Sequence, residues 1–391
     1  MLGTVSGLIP GIHSNTMAGI LLSLQGLFIA LFGPVALAAA LMGALITHTF
    51  LDIVPTTFLG VPDADTAISV LPAHALCLEG HAEEAVRIAA LGSAAAIIAG
   101  IPLSLLFFTV LPILQPLIDW WIGILLIFIA GMLVIRAEAP GWSLVIFLVA
   151  GLLGLFTFQY SFLAWHTMGS SGILMPLLSG LFGLSVLLTA SQGPLPEQGY
   201  QGLDLDSKTI MRGGILGTCA GSMVGWLPGL STATANGVLA ALIGYDHDRR
   251  GYLFATSAAN TANALTGLAA LYAMGRMRNG VMVALASLEM PPFTALLAAA
   301  TLAAFLAYLL TIWCSRRASW FNHRNARRIN QVVIGFIVLL SFILTGPFGI
   351  LILLLATMLG LVPHLLNIPR VTCMGAVMVP VILFSLGLST I

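Results

Sequence analysis

Apolar residues run through this chain in long blocks and not in alternation. Such blocks occupy residues 34–49, 85–111, 121–135, 144–158, 173–188, 293–313, 332–344, 348–362 and 373–388. Crossing a bilayer takes a helix of about 20 mostly apolar residues. Several blocks reach or approach that length, and Gly- and Pro-broken segments add others between them. Counting half-crossings, the pattern predicts roughly 9 to 12 membrane crossings. Backbone N–H and C=O groups must pair within their own segment in lipid, so the crossings are expected to be helices. A transmembrane barrel needs strands of alternating polarity, which the blocks lack. The expected fold class is therefore an all-α polytopic membrane protein.

Composition narrows this further. Of 391 residues, 59% are hydrophobic and 7% are charged. An average soluble domain is about 25% charged, so this chain could not cover a soluble surface of its size. The formal net charge is zero, and no bulk field favours nucleic acid. Cys77, Cys219, Cys314 and Cys373 are scattered, with no metal spacing or disulfide framework. No basic region precedes the first apolar stretch, so no cleavable signal peptide is expected. Five of the thirteen arginines, Arg316, Arg317, Arg324, Arg327 and Arg328, fall in one loop. The positive-inside rule places that loop in the cytoplasm, and the loop bearing Arg249 and Arg250 with it. The expected location is the plasma membrane of a prokaryote.

The chain also repeats itself. Residues 3–21 read GTVSGLIPGIHSNTMAGIL and residues 221–239 read GSMVGWLPGLSTATANGVL. They align without a gap: Gly3, Gly7, Pro10, Gly11, Thr16, Gly19 and Leu21 meet Gly221, Gly225, Pro228, Gly229, Thr234, Gly237 and Leu239. A weaker second match sets the stretch from Asp65 against the stretch from Asn260. Residues 191–208, polar with two prolines and three glycines, read as a soluble connection. The expected organisation is a first membrane repeat over 1–190, a linker over 191–208 and a second repeat over 209–391. The basic loop after 315 has an acidic, arginine-free counterpart near 114–120, with Asp119. Opposite sidedness explains that difference, so the repeats are expected to have inverted topology.

The repeated motif carries the candidate chemistry. Proline removes a helical hydrogen bond and clashes with the preceding turn. Pro10 with Gly11, and Pro228 with Gly229, are therefore expected to break or re-enter their membrane segments. Such breaks are tolerated only where protein or water satisfies the backbone. Polar residues follow each break: His13, Ser14, Asn15 and Thr16 in one half, Ser231, Thr232 and Thr234 in the other. They start new half-helices, whose free N–H groups and positive dipole end can hold an anion. Ser and Thr also cap helices with no ligand at all. Asn260 and Asn263 lie three apart on one helix face, with Thr261 between them. Asp63, Asp65 and Thr66 are candidates for a coupling cation or proton, or else sit on a loop at the membrane surface. A carboxylate at bilayer depth costs about 2.5–3.5 kcal/mol on insertion scales. Arg87, Arg276 and Arg278 either neutralise an anion or mark helix ends, and Glu79, Glu83 and Glu84 read as a solvated helix start. His48, His166 and His364 are isolated and lack metal-ligand spacing.

GLIPGIHSNT and GWLPGLSTAT resemble the Gly-x-x-Pro-Gly motifs of the TctA family, the large membrane subunit of tripartite tricarboxylate transporters. SAANTANAL, at 257–265, resembles that family's Ala-Asn-Asn region. The stretch from Gly60 is similar to the family's segment after its first motif, although the tyrosine-proline turn is missing and Glu79, Gly80, His81 and Ala82 take the Gly-x-Ala position. The similarity covers most of the chain and is greatest to the short, archaeal-like branch. It implies a secondary active transporter of a small organic anion, di- or tricarboxylate-like, by alternating access. Na+ or H+ is the implied coupling ion; no metal or organic cofactor is expected. The expected partners are the lipid bilayer, a small membrane subunit or binding protein, and a second copy in a homodimer. Translocation of a lipid-linked anion such as polyprenyl phosphate is the alternative. An enzyme is not expected, since neither HExxH nor GxSxG occurs.

Overall fold

The computed structural model describes residues 1–9, 17–18, 21, 25–60, 70–135, 137–165, 173–189, 196–227, 232–244, 248–288, 290–317, 326–366, 368 and 370–388. Among the described residues all regular structure is helical. In chain order the helices are α1 (Leu2–Leu8), α2 (Gln25–Phe32), α3 (Pro34–Leu51), α4 (Ile53–Leu59), α5 (Val70–Leu78), α6 (Ala82–Ile135), α7 (Pro140–Gln159) and α8 (Leu174–Thr189). They continue with α9 (Ser207–Trp226), α10 (Thr232–Ile243), α11 (Arg249–Met274), α12 (Gly280–Ala286), α13 (Phe293–Ser315), α14 (Ala326–Leu365) and α15 (Gly375–Ser385). By length and composition, five segments can cross a membrane: Pro34–Leu59, Ala82–Gln115, Pro140–Gln159, Phe293–Ser315 and Ile334–Leu365. Shorter apolar helices cover Gly123–Ile135, Leu174–Thr189 and Thr372–Ser385. The chain is a multi-pass membrane protein.

Two helices exceed any single crossing. α6 has 54 residues, about 81 Å at 1.5 Å per residue, against a hydrocarbon core of about 30 Å. α14 joins two helices across Gly346 (φ 68, ψ −159), with Pro347 opening the second. A side chain at Gly346 would run into the ring of Trp165.

The first apolar block does not end at Thr49. It runs on through Asp52 to Leu59, because Asp52 keeps helical dihedrals (φ −59, ψ −24) and its carboxylate is paired inside the protein. α11 matches this segment in length: Pro34–Leu59 and Arg249–Met274 each have 26 residues. Each stops at a glycine in the left-handed region, Gly60 (φ 63) and Gly275 (φ 68). α11 starts on Asp248, whose carboxylate accepts from the Gly251 N–H. Nearly every residue of α11 is buried; this burial accommodates its row of polar residues without lipid contact.

Glycines set the closest helix contacts. Gly217, Gly221 and Gly225 on α9 lie against Ala255, Ala259 and Asn263 on α11, in matching order, so the two run parallel. Gly3 and Gly7 on α1 lie in the same way against Ala44 and His48 on α3. α6 runs parallel to α11, with Gly92 on Phe254 and Gly100 on Leu265. α13 runs parallel to α3, with Gly43 facing Ala303 and Thr311 donating to the Phe50 carbonyl at 3.2 Å. α3 and α11 are antiparallel. Leu37 and Leu41, early in α3, share a core with Met282 and Leu285 beyond the far end of α11.

The linker is not a free connection. Among its described residues, Gln198 accepts from Ala82 N (3.0 Å) and donates to the Cys77 carbonyl (2.9 Å). Gly199 N donates to Gly80 O at 3.0 Å. Glu84 departs from a solvated helix start. It is 3% exposed, accepts from Arg250 Nε and Nη2 at 2.8 and 2.9 Å, and accepts from Asp204 N at 2.9 Å. Burial without a partner would be costly, so the pair joins the starts of α6 and α11 under the linker. Arg249 pairs with Glu79 beside it.

Candidate substrate and coupling site

α9 and α10 flank residues 228–231, which lie outside the described residues. α10 returns antiparallel: Asn263 Nδ2 donates to Thr232 Oγ1 (3.0 Å), Tyr252 OH to the Asn236 carbonyl (2.9 Å) and Arg212 to the Leu242 carbonyl (2.8 Å). Arg276 and Arg278 bond the last carbonyls of α9, Trp226 O at 3.3 Å and Val224 O at 2.9 Å. The structure thus gives these arginines the helix-end role. Around α9 and α10, Ser222 Oγ, Trp226 Nε1 and Thr234 Oγ1 are buried with no hydrogen-bond partner among the described residues. Thr234 is 1% exposed. A buried polar group left without a partner costs about 1–3 kcal/mol, so such groups clustered together point to a ligand or water.

The central crossing of α3 and α11 holds a second polar cluster. Asn260 Nδ2 donates to Asp52 Oδ2 at 2.7 Å, and each residue is 3% exposed. One turn away, Thr49 Oγ1 and Thr261 Oγ1 are 3.1 Å apart. Ser93 Oγ on α6 donates to the Ser257 carbonyl at 3.3 Å and the Thr49 carbonyl at 3.5 Å. His48, 2% exposed, bonds Ser6 Oγ on α1 through Nδ1 at 3.1 Å and so is not isolated.

The sequence-derived residues divide accordingly. Thr232, Thr234, Asn260, Thr261 and Asn263 are placed, but in two groups: Asn263 and Thr232 at the start of α10, Asn260 and Thr261 at the crossing. Pro10, Gly11, His13, Ser14, Asn15, Thr16, Asp63, Asp65, Thr66, Pro228, Gly229 and Ser231 lie outside the described residues. Asp52, His48, Thr49 and Ser93 were not singled out by sequence. Asp52 was legible in principle, as the lone acid between two apolar stretches, but a block closed at Thr49 leaves it in a loop.

Long apolar helices and polar residues buried where helices cross belong to a polytopic membrane protein. Residues 1–375 match the Tripartite tricarboxylate transporter TctA family, and the chain belongs to it. It is a membrane transporter of the tripartite tricarboxylate type, a family whose members work with a small membrane subunit and a binding protein. An uncharacterized protein of Methanocaldococcus jannaschii is 28% identical over 284 residues, covering 71% of this chain and 68% of that protein. No solved structure matches the chain.

Proposed function

We propose that this chain is an ion-coupled secondary transporter of a small di- or tricarboxylate-like anion, working by alternating access between two inverted repeats. The observation that carries the reading is a set of paired helix contacts. Gly3 and Gly7 meet Ala44 and His48 as Gly221 and Gly225 meet Ala259 and Asn263. Further along, Gly154 meets Ala376 as Gly360 meets Leu181, and Gly375 meets Phe147 as Gly180 meets Leu353. In the second set each half packs on the other, as a two-fold exchange requires. α3 and α11, equivalent under this pairing, cross antiparallel, which supports inversion. The pairing sets 34–60 beside 249–275, a register different from the match of Asp65 with Asn260. Inverted repeats with discontinuous helices are a transporter architecture whose site lies near the bilayer midplane.

In this reading the anion binds beside the two Pro-Gly motifs, where the sequence predicts new half-helices after Pro10 and Pro228 whose first N–H groups would hold it. Thr16, Thr232, Thr234 and Asn263 complete its site. Na+ or H+ drives transport, with Asp63, Asp65 and Thr66 the sequence-based candidates for coupling. The protein works in a prokaryotic plasma membrane with a small membrane subunit and a binding protein, and two copies of it form a homodimer. The test is thermal unfolding of the purified chain against a panel of di- and tricarboxylates plus a polyprenyl phosphate. A ligand at 100 times its Kd stabilises the folded state by about 2.7 kcal/mol. A carboxylate is expected to raise the unfolding temperature, and Thr234→Val to weaken that effect. Stabilisation by the polyprenyl phosphate alone would replace this reading with lipid translocation.

A further inference from the structure

We infer that Asp52 and Asn260, with the hydroxyls of Thr49 and Thr261, form a binding site for a hard monovalent cation of the Na+ type at the crossing of α3 and α11. The inference deepens the transport reading and rests on it, but it moves the coupling site away from Asp63 and Asp65. Among the described residues, the other acids lie at helix starts or in connections, except Asp119, which falls in α6 between its two apolar stretches; Asp52 is the one set well inside a candidate membrane span. Its depth follows from α11. Asn260 lies eleven residues beyond Arg249, about 16 Å along the helix, close to the middle of a core about 30 Å thick. An ionisable residue at that depth facing the protein interior marks an ion or substrate pathway.

Among the described residues, the groups that meet at the pair are oxygens and an amide. Thr49 Oγ1 and Thr261 Oγ1 face each other at 3.1 Å. Asn260 gives its amide N–H to Asp52, which leaves its amide oxygen as a further acceptor. Pro55 has no N–H for the Leu51 carbonyl, so a backbone oxygen is freed within the same turn. Hydroxyl, amide, carbonyl and carboxylate oxygens suit hard cations. The site is also shared between the halves, since Thr49 and Asp52 come from the Pro34–Leu59 segment and Asn260 and Thr261 from α11. A cation held there ties the two halves together, and its release loosens them, which is how binding energy reaches a conformational equilibrium.

The test uses the purified full chain in phospholipid nanodiscs at one pH, with Na+ itself as the probe. Unfolding temperature is measured as NaCl replaces choline chloride at constant ionic strength. The wild type is expected to rise by several degrees with Na+ and to saturate. Asp52→Asn, which keeps the shape and can still accept from Asn260, is expected to lose the Na+-dependent rise. Asn260→Ser keeps the carboxylate but removes the amide that orients it and one oxygen ligand, and is expected to weaken the apparent Na+ affinity roughly tenfold or more; it carries the test if Asp52→Asn does not fold. A purely structural pair would lower the unfolding temperature equally in both salts and leave the Na+ shift unchanged. That result, or a wild type indifferent to Na+, overturns the inference. A protein that answers to Na+ but to no carboxylate would instead fail the transport reading.

Discussion

At the scale of single residues, burial separates groups that look alike in the sequence. Glu79, Glu83 and Glu84 form one acidic run, yet Glu84 alone is sealed beneath the linker against Arg250, while Glu83 pairs with Arg87 on its own helix. Arg250→Ala leaves Glu84 with the Asp204 N–H and, at 3.6 Å, His81. Losing hydrogen bonds to a charged, buried partner is expected to cost about 1–3 kcal/mol, read as a lower unfolding temperature. Arg212→Ala, which removes one exposed bond to a carbonyl, is expected to cost less. Equal effects would mean that the Glu84 pair adds nothing to the end of the bundle. At the crossing, Asn260→Ala is expected to abolish transport without loss of expression; unchanged uptake would remove Asn260 from the site.

At the scale of elements, close approach explains the glycines that the apolar pattern alone does not. Helices in lipid associate through small residues that let backbones touch. Gly154→Ala puts a methyl against the Ala376 carbonyl, and such overpacking costs about 1–3 kcal/mol. Gly335→Ala, on α14, meets no atom within 4 Å. It is expected to be neutral or to stabilise by about 0.5–1 kcal/mol, because alanine favours the helix over glycine. Opposite signs for these two substitutions in a thermal unfolding assay would support the packing; the same sign would contradict it. The Pro-Gly repeat sets a local expectation of a helix interruption, through proline's missing donor, at residues outside those described. The antiparallel return of α10 was not legible, because its direction depends on Asn263, Tyr252 and Arg212 of other segments.

At the scale of the whole molecule, Arg276 and Arg278 follow the far end of α11, while helix directions bring several other basic residues to the opposite end. α11 starts there with Arg249 and Arg250, and α9 with Lys208. α13, parallel to α3 and so antiparallel to α11, ends there with Arg316 and Arg317. The positive-inside rule makes that end cytoplasmic. Met290 belongs to the opposite end, close to Pro291, whose carbonyl accepts from Tyr272 late in α11. Single cysteines at Gln201 and Arg317, in a chain freed of its native cysteines, are expected to label from the cytoplasmic face, and one at Met290 from the other face. Labelling of all three from one side would overturn this arrangement.

What the sequence determined by itself is whatever follows from local chemistry. Blocks of apolar residues define membrane helices, proline and glycine mark expected breaks, and the repeated motif sets the expectation of two halves. Each depends on neighbours in the chain or on lipid as solvent. The tertiary structure decided which polar groups meet. Asp52 and Asn260 stand 208 residues apart, and no local signal joins them. Their pairing exists because two helices of equal length cross where each is buried. The linker's attachment to Gly80 and Ala82 and the burial of Glu84 arise in the same way, from surfaces that form only when the halves pack. A carboxylate on a loop is solvated and unremarked; the same carboxylate inside a helix crossing must find a partner, and only the fold supplies it.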